Sequence, residues 1–228
     1  MIDITKVFDP IKIRFYQEWL YANHLYDEGD SNLHKSLTLE AVKTHVEPLS
    51  LPKDARILDL GCGPGYFMDL MKGRGYTNMT GITLSQADID VCKKNGHHVE
   101  MYDLSFLPQH KGYADESVDF IFLRHALEHS PYPIFSLIEY NRLLKQYGKM
   151  YIEVPAPDCE RKHEWNANHY SVLGSEQLTA LLVRTGFKLD YIKLVEYDVD
   201  IKEGEVTNRY REKHYSLVVT KEKPLDIK

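Results

Sequence analysis

Residues Arg56-Ile57-Leu58-Asp59-Leu60-Gly61-Cys62-Gly63-Pro64-Gly65-Tyr66 decide the fold. An apolar strand closes on an acid and runs into three alternating glycines. A strand followed by glycines and a helix leaves bare backbone at the carboxyl edge of a parallel sheet, where any Cβ would occupy a ligand's space. The spacing separates two ligands. A dinucleotide fold requires G-x-G-x-x-G, whose third glycine allows close helix packing, and an acid about twenty residues on for the ribose. Here the third glycine position is Tyr66 and the later stretch reads Gly81-Ile82-Thr83, so NAD is disfavoured.

Outward from this loop, short β runs alternate with helical periods. Strands are predicted near 56–60, 78–83, 98–102, 118–123 and 148–154, with helices near 65–74, 85–95, 131–145 and 174–185. Such alternation makes an α/β domain with a mostly parallel sheet and helices on both faces. After Gly186, the β-prone runs Phe187–Tyr197 and Tyr210–Thr220 flank the turn-like Lys202-Glu203-Gly204-Glu205 and predict an antiparallel hairpin. The first fifty residues carry an aromatic helical pattern (Phe15, Tyr16, Trp19, Leu20, Tyr26) and a second helix near Leu37–Val46, ended by Pro48 and Pro52. Residues 1–50 are therefore expected to form a helical cap on a domain spanning 51–228.

Bulk properties exclude several classes. The 228-residue chain holds 28 basic and 34 acidic residues, a net charge of −6, without a lysine/arginine block to neutralise phosphates, so nucleic acid is a poor partner. Residues 1–20 lack a cationic start with an apolar core, and no stretch approaches the ~20 apolar residues of a membrane span. A soluble, cytoplasmic protein is expected, with no membrane partner. Cys62, Cys92 and Cys159 form no C-x-x-C pair, which argues against a zinc or disulfide framework.

Asp59-x-Gly61-x-Gly63-x-Gly65 resembles the first motif of class I S-adenosylmethionine-dependent methyltransferases. The likeness continues through Gly81-Ile82-Thr83-Leu84-Ser85, Asp103, Asp119-Phe120-Ile121-Phe122, Ala126-Leu127-Glu128-His129-Ser130-Pro131 and Leu143 to Pro155, then more weakly through His169-Tyr170 to Gly186-Phe187. It implies a Rossmann-like sheet of seven strands with an antiparallel last pair, and S-adenosylmethionine as cofactor. By the same resemblance, backbone at Gly61, Gly63 and Gly65 approaches the methionine part and ribose, with Cys62 a small filler of the loop. Asp59 holds the ammonium or orders the loop, Asp103 accepts from the adenine amino group, and Leu104 stacks along the ring. Thr83 stands where the family usually places a ribose-binding acid, and one hydroxyl cannot replace a bidentate carboxylate. Asp88, one helical turn on, is a possible helper; a solvated helix face is its plainer reading.

Methyl transfer from a sulfonium is an in-line displacement in which alignment supplies much of the catalysis. A hydroxyl acceptor adds the need for a base. His125, Glu128 and His129, at the carboxyl end of the fourth strand, are the catalytic candidates, with His129 first. The competing reading makes Ser130-Pro131 an N-cap and first-turn pair, with His129 merely packed before it. No metal is required by the chemistry. A sharper alternative joins His125, Glu128 and His129 to His169 or His163, similar to the E-x-x-E-H site of metal-dependent O-methyltransferases acting on catechol-like quinone precursors or RNA ends. With histidine in place of the first glutamate, a borderline metal is favoured over magnesium. Trp165, Tyr170 and the N-terminal aromatics are candidate walls of an acceptor pocket. The expected activity is methyl transfer to a small-molecule or sugar-like hydroxyl or amine; the rivals are an RNA methyltransferase and a non-catalytic cofactor-binding module.

Overall fold

Period-two burial on both faces of one sheet organises the chain. The computed structural model describes residues 31–105, 107, 112–203 and 206–223, with only the backbone of 202 and 203. Seven strands, β1 (Ile57–Leu60), β2 (Met79–Thr83), β3 (Val99–Met101), β4 (Val118–Arg124), β5 (Leu144–Pro155), β6 (Phe187–Glu203) and β7 (Val206–Lys221), lie in the order β3-β2-β1-β4-β5-β7-β6. The first five are mutually parallel, and β7 runs antiparallel to both β5 and β6. The aromatic pattern around Phe15–Tyr26 falls outside the described residues.

Successive residues of each central strand enter opposite cores, because side chains alternate across a pleated sheet. Leu58, Leu60, Ile121, Leu123, Met150, Ile152, Leu217 and Val219 pack on one face with α4 (Pro133–Leu143) and α5 (Ser175–Arg184). Ile57, Phe120, Phe122, Tyr151 and Val218 pack on the other with α1 (Asn32–Ala41), α2 (Tyr66–Gly73) and α3 (Gln86–Lys94). Phe67 stacks on Phe122 at 3.9 Å between centroids. A π-helical turn, Val42–Val46, extends α1 and buries Val42 and Val46 in the second core. Residues 32–49 thus share a core with β1 and α2.

Strand order reverses at β1. The chain leaves β1 for α2 on one face and β4 for α4 on the other, which opens a crevice at the strands' carboxyl ends, the position where open α/β sheets bind ligands.

Three boundaries differ from expectation. The helix near 131–145 begins at Pro133 with Tyr132 as N-cap, so Ser130 does not cap it; Pro133 supplies the first-turn φ instead. Strand β5 starts at Leu144, directly after that helix, earlier than 148. The hairpin arms run well past Tyr197 and Tyr210 into a polar stretch. Cross-strand pairs hold it: Asp198 faces Arg211 and Asp200 faces Arg209 in the ladder, with Arg209 Nε 2.8 Å from Asp200 Oδ1. Opposite charges directly across a ladder support strand where apolar propensity is low. Since β5 pairs with β7 only as far as Pro155 opposite His214, the rest of the hairpin overhangs the sheet's carboxyl edge.

Candidate active site

A cavity of ≈ 480 Å³ fills the crevice. Its first wall comes from the ends of β1, β2 and β3. Asp59 is the one polar residue of β1, on the face of Ile57, and is buried. The chain then turns through Gly61, Gly63 and Gly65, all at positive φ (76°, 50° and 89°), a backbone that side chains disfavour. Gly61 also has no room: a Cβ there would lie 2.7 Å from Ala126 Cβ, so the glycine lets the β1 and β4 loops close together. Gly61, Cys62 and Gly63 line the cavity, whereas Gly65 packs inward, where a Cβ would meet Cys92 Sγ at 2.9 Å. The Cys62 thiol is raised well above its usual range by its bond to Cys92 and by burial, which keeps it protonated.

At the end of β2, Thr83 Oγ1 accepts from Ser85 N–H at 3.2 Å, and Ser85 caps α3 by accepting from Asp88 N–H at 3.0 Å. This turn sends Asp88 inward. Asp88 is 5% exposed and lines the cavity with Thr83, which overturns the solvated-face reading. After β3, Asp103 Oδ1 accepts from Ser105 N–H at 2.8 Å; burial pushes its pKa up, and that bond holds the rise in check. Leu104 lines the same wall, and His34, Leu37 and Thr38 of α1 close it. Ser31 N–H donates to Tyr66 Oη at 2.8 Å and ties α1 to α2.

The second wall comes from β4, β5, the loop after β5, and the overhanging hairpin. His125 takes a left-handed conformation, φ 47°, as the chain leaves β4. Its Nδ1 lies 3.3 Å from Glu128 Oε1 and its Nε2 3.1 Å from Glu153 Oε1. Burial alone would lower its pKa, but the two carboxylates prevail and raise it to about 9, so His125 is an imidazolium near neutral pH. Burial opposes charge on Glu128 as well, and His125 overrides it, leaving that carboxyl below its usual range. Glu153 is held still lower against burial, with Arg124 Nε at 2.8 Å.

The loop after β5 is stapled to this turn. Tyr170 and Ser171 N–H groups donate to Glu128 O at 2.7 and 3.1 Å, and Ser171 Oγ lies 3.1 and 3.0 Å from the Leu127 and Ser130 carbonyls. His169 thereby comes to 4.9 Å from His129, ring centroid to centroid. Burial lowers its pKa to about 4, so it is neutral near pH 7. His163 stacks on His169 at 5.3 Å and bonds Glu212 at 2.6 Å, while Arg161 holds the other Glu212 oxygen at 2.9 Å. Trp165, proposed as a pocket wall, is 87% exposed and lines nothing here; Tyr170 does line the cavity.

Asp59, Gly61, Cys62, Gly63, Thr83, Asp103, Leu104, His125, Glu128 and His129 thus meet in one cavity, and Gly65 does not reach it. Sequence reasoning missed Tyr197, Glu212, His214 and Glu153. For Glu212 and His214 the only signal was their period-two spacing with Ser216 on one face of β7, within a stretch already rich in charge; Tyr197 and Glu153 gave none.

The first wall fits S-adenosylmethionine. Bare backbone with three carboxylates and no lysine among the described lining residues suits a ligand with ammonium, sulfonium, hydroxyl and amino groups, and would repel a pyrophosphate. A family model described as a methyltransferase domain matches residues 34–192. A putative methyltransferase of Bacillus halodurans superposes with TM-score 0.66 at 15% identity, covering 81% of this chain and 100% of its own. An S-adenosylmethionine-dependent methyltransferase of Archaeoglobus fulgidus gives 0.64 at 18%, covering 91% and 100%. A possible histamine N-methyltransferase of Thermotoga maritima gives 0.59 at 20%, covering 92% and 96%. No curated protein matches the sequence. No helix among the described residues is long and apolar enough to cross a membrane.

Proposed function

Because this chain belongs to the methyltransferase-domain family and is an S-adenosylmethionine-dependent methyltransferase, we propose that it methylates a hydroxyl or amine of a small molecule seated against Glu128, His129 and His169. One observation carries this reading: the cofactor wall and the histidine wall line the same cavity, whose ≈ 480 Å³ is of small-molecule size. Bound S-adenosylmethionine supplies an electrophilic methyl group on a sulfonium. This chain's part is to hold the partners and receive a proton. Backbone at Gly61 and Gly63 with Asp59 holds the amino-acid end, Asp88 with Thr83 the ribose hydroxyls, and Asp103 with Leu104 the adenine.

On the acceptor side, His125 is saturated by two carboxylates and serves to fix them, not to take a proton. His129 donates Nδ1–H to Asn168 O at 2.9 Å, which makes Nε2 its basic nitrogen. A proton leaving the acceptor goes to the group formed by Glu128, His129 and His169, which alignment alone would leave without an outlet. Screening small-molecule acceptors against RNA by S-adenosylhomocysteine release tests the reading. Release with hydroxyl- or amine-bearing small molecules is expected, and release with RNA alone would overturn it.

A further inference from the structure

The overhanging hairpin brings a further set of charges to the cavity. Tyr197 on β6 faces Glu212 on β7 in the ladder, and His214 and Ser216 follow Glu212 at period two on the same face. In the next two ladders Ser216 faces Glu153, and Glu153 faces Arg124, so Arg124, Glu153, Glu212 and Tyr197 share one face of the sheet. Arg161 joins them from the loop after β5, with Nη1 2.9 Å from Glu212 Oε2. Arg124, Arg161, Tyr197 and Glu212 all line the cavity.

Donors and acceptors are unequally used here. Both carboxylates are engaged on both oxygens. Glu153 faces Arg124 Nε and His125 Nε2 with one oxygen, at 2.8 and 3.1 Å, and takes Tyr151 Oη at 2.5 Å on the other. Glu212 takes His163 Nε2 at 2.6 Å and Arg161 Nη1; burial opposes its charge, and these two groups override burial and hold its pKa to about 2. Donor capacity is left over. A guanidinium carries five N–H groups in a planar fork, and Arg161 spends one nitrogen on Glu212 while 39% of its side chain stays exposed. The Tyr197 hydroxyl makes no hydrogen bond among the described residues. Burial, then the field of Glu212, push its pKa up to about 12, so it keeps a proton to donate. A ligand group that suits these donors offers acceptors alone, which is the chemistry of an oxyanion.

Charge decides which oxyanion. Arg124, Arg161 and the His125 imidazolium stand against Glu128, Glu153 and Glu212, so this end is balanced before a ligand enters. One added negative charge pairs with the exposed guanidinium of Arg161; the second charge of a phosphate would meet three carboxylates and no further cation.

We propose that the acceptor carries a carboxylate, held by the open edge of Arg161 and the Tyr197 hydroxyl, beside the hydroxyl or amine that is methylated: the substrate is a hydroxy acid or an amino acid. Arg124, held by Glu153, acts on that carboxylate through its charge. The identity of the methylated group rests on the methyl-transfer reading, whereas binding of the carboxylate does not.

The test is ligand-observed NMR on the full chain loaded with S-adenosylhomocysteine. The probes are β-hydroxybutyrate, β-alanine, para-hydroxybenzoate and para-aminobenzoate, each beside its primary amide, with para-hydroxyphenyl phosphate as the dianion. At least one acid is expected to bind roughly tenfold or more tighter than its amide. Arg161→Gln should remove that preference, Arg161→Lys restore part of it, and Tyr197→Phe weaken the acid severalfold, with S-adenosylhomocysteine affinity unchanged in all three. Tyr197→Phe is nearly isosteric, so it remains informative if Arg161→Gln disturbs its loop. No acid preferred over its amide, a preference that survives Arg161→Gln, or tighter binding of the phosphate overturns the carboxylate subsite. With S-adenosylmethionine in place of the product, the acid that binds should be methylated on oxygen or nitrogen, and Arg161→Gln should raise KM more than it lowers kcat; a methyl ester as product overturns the assignment. If the acid binds through Arg161 and no S-adenosylhomocysteine is released, the methyl-transfer reading fails and the subsite survives; if amides turn over as readily as acids, methyl transfer stands and the subsite fails.

Discussion

His129 donates its Nδ1 proton to the carbonyl of Asn168 across 2.9 Å, and since a carbonyl only accepts, this bond fixes the tautomer of the ring. The two residues come from different loops, one after β4 and one after β5. Ser171 and Tyr170 bind those loops together through the Glu128, Leu127 and Ser130 carbonyls. The chemistry of His129 is therefore set by a loop remote from it in sequence.

Loosening that staple should affect turnover before cofactor binding. Ser171→Ala removes the hydroxyl that faces two carbonyls and is expected to cost about 1 kcal/mol of stability. Turnover should fall severalfold while S-adenosylhomocysteine affinity holds. Thermal unfolding and calorimetry check this, and an equal loss in both would show that the loop supports the cofactor wall as well.

His129→Ala should lower turnover by about 10²-fold or more with little change in cofactor affinity. Steady-state rates on the acceptor found by the release screen, set beside calorimetry, decide it. Full activity would return His129 to a packing role and leave alignment as the whole of the catalysis.

Asp88→Asn should weaken S-adenosylhomocysteine binding by roughly tenfold, about 1.4 kcal/mol, because a neutral amide loses the charge-assisted contact to ribose hydroxyls. Unchanged affinity would place the ribose elsewhere and leave Thr83 as its partner.

Gly61→Ala meets two obstacles at once, a left-handed backbone and a Cβ 2.7 Å from Ala126 Cβ. Strain of about 1–2 kcal/mol from the backbone alone is expected in the unfolding free energy. Cofactor affinity should fall further than stability, because the two loops can separate only by moving the wall that holds the ligand. A variant with normal melting and normal binding would contradict the close approach.

Stability should fall on both sides of neutrality. The pKa of His125 is about 9 in the folded protein, above its unfolded value, so its contribution is complete below about 6.5 and is lost as pH rises through 9. His169 and His214 are lowered to about 4 by burial, so unfolded chains bind their protons first and stability drops as pH falls from about 6.5 toward 4. Thermal midpoints measured from pH 4 to 10 should show both limbs. In His125→Gln the alkaline limb between 6.5 and 9 should flatten, and its persistence there would assign the titration to another group.

The sequence by itself determined the order of elements and the glycine loop that enters the crevice, because both are local. Alternating apolar periods fix strand and helix, and glycine is favoured where φ is positive and a Cβ would also collide, as at Gly61 and Gly65. The places of Asp59, Thr83 and Asp103 in the crevice were legible for the same reason, each lying at or just beyond the carboxyl end of a short strand. Tertiary structure alone decided the rest. Asp88 was indistinguishable from a solvated helix residue until the Ser85 cap turned its carboxylate inward. His125 has the same residue type as His129, yet two buried carboxylates, one of them Glu153 from β5, make it a fixed cation. The polar half of the hairpin carried no apolar period, so its reach over the cavity followed only from cross-strand charge pairs. Spacing along a chain records which groups leave one strand together; which groups from separate strands share protons depends on distance and burial, which only the folded sheet sets.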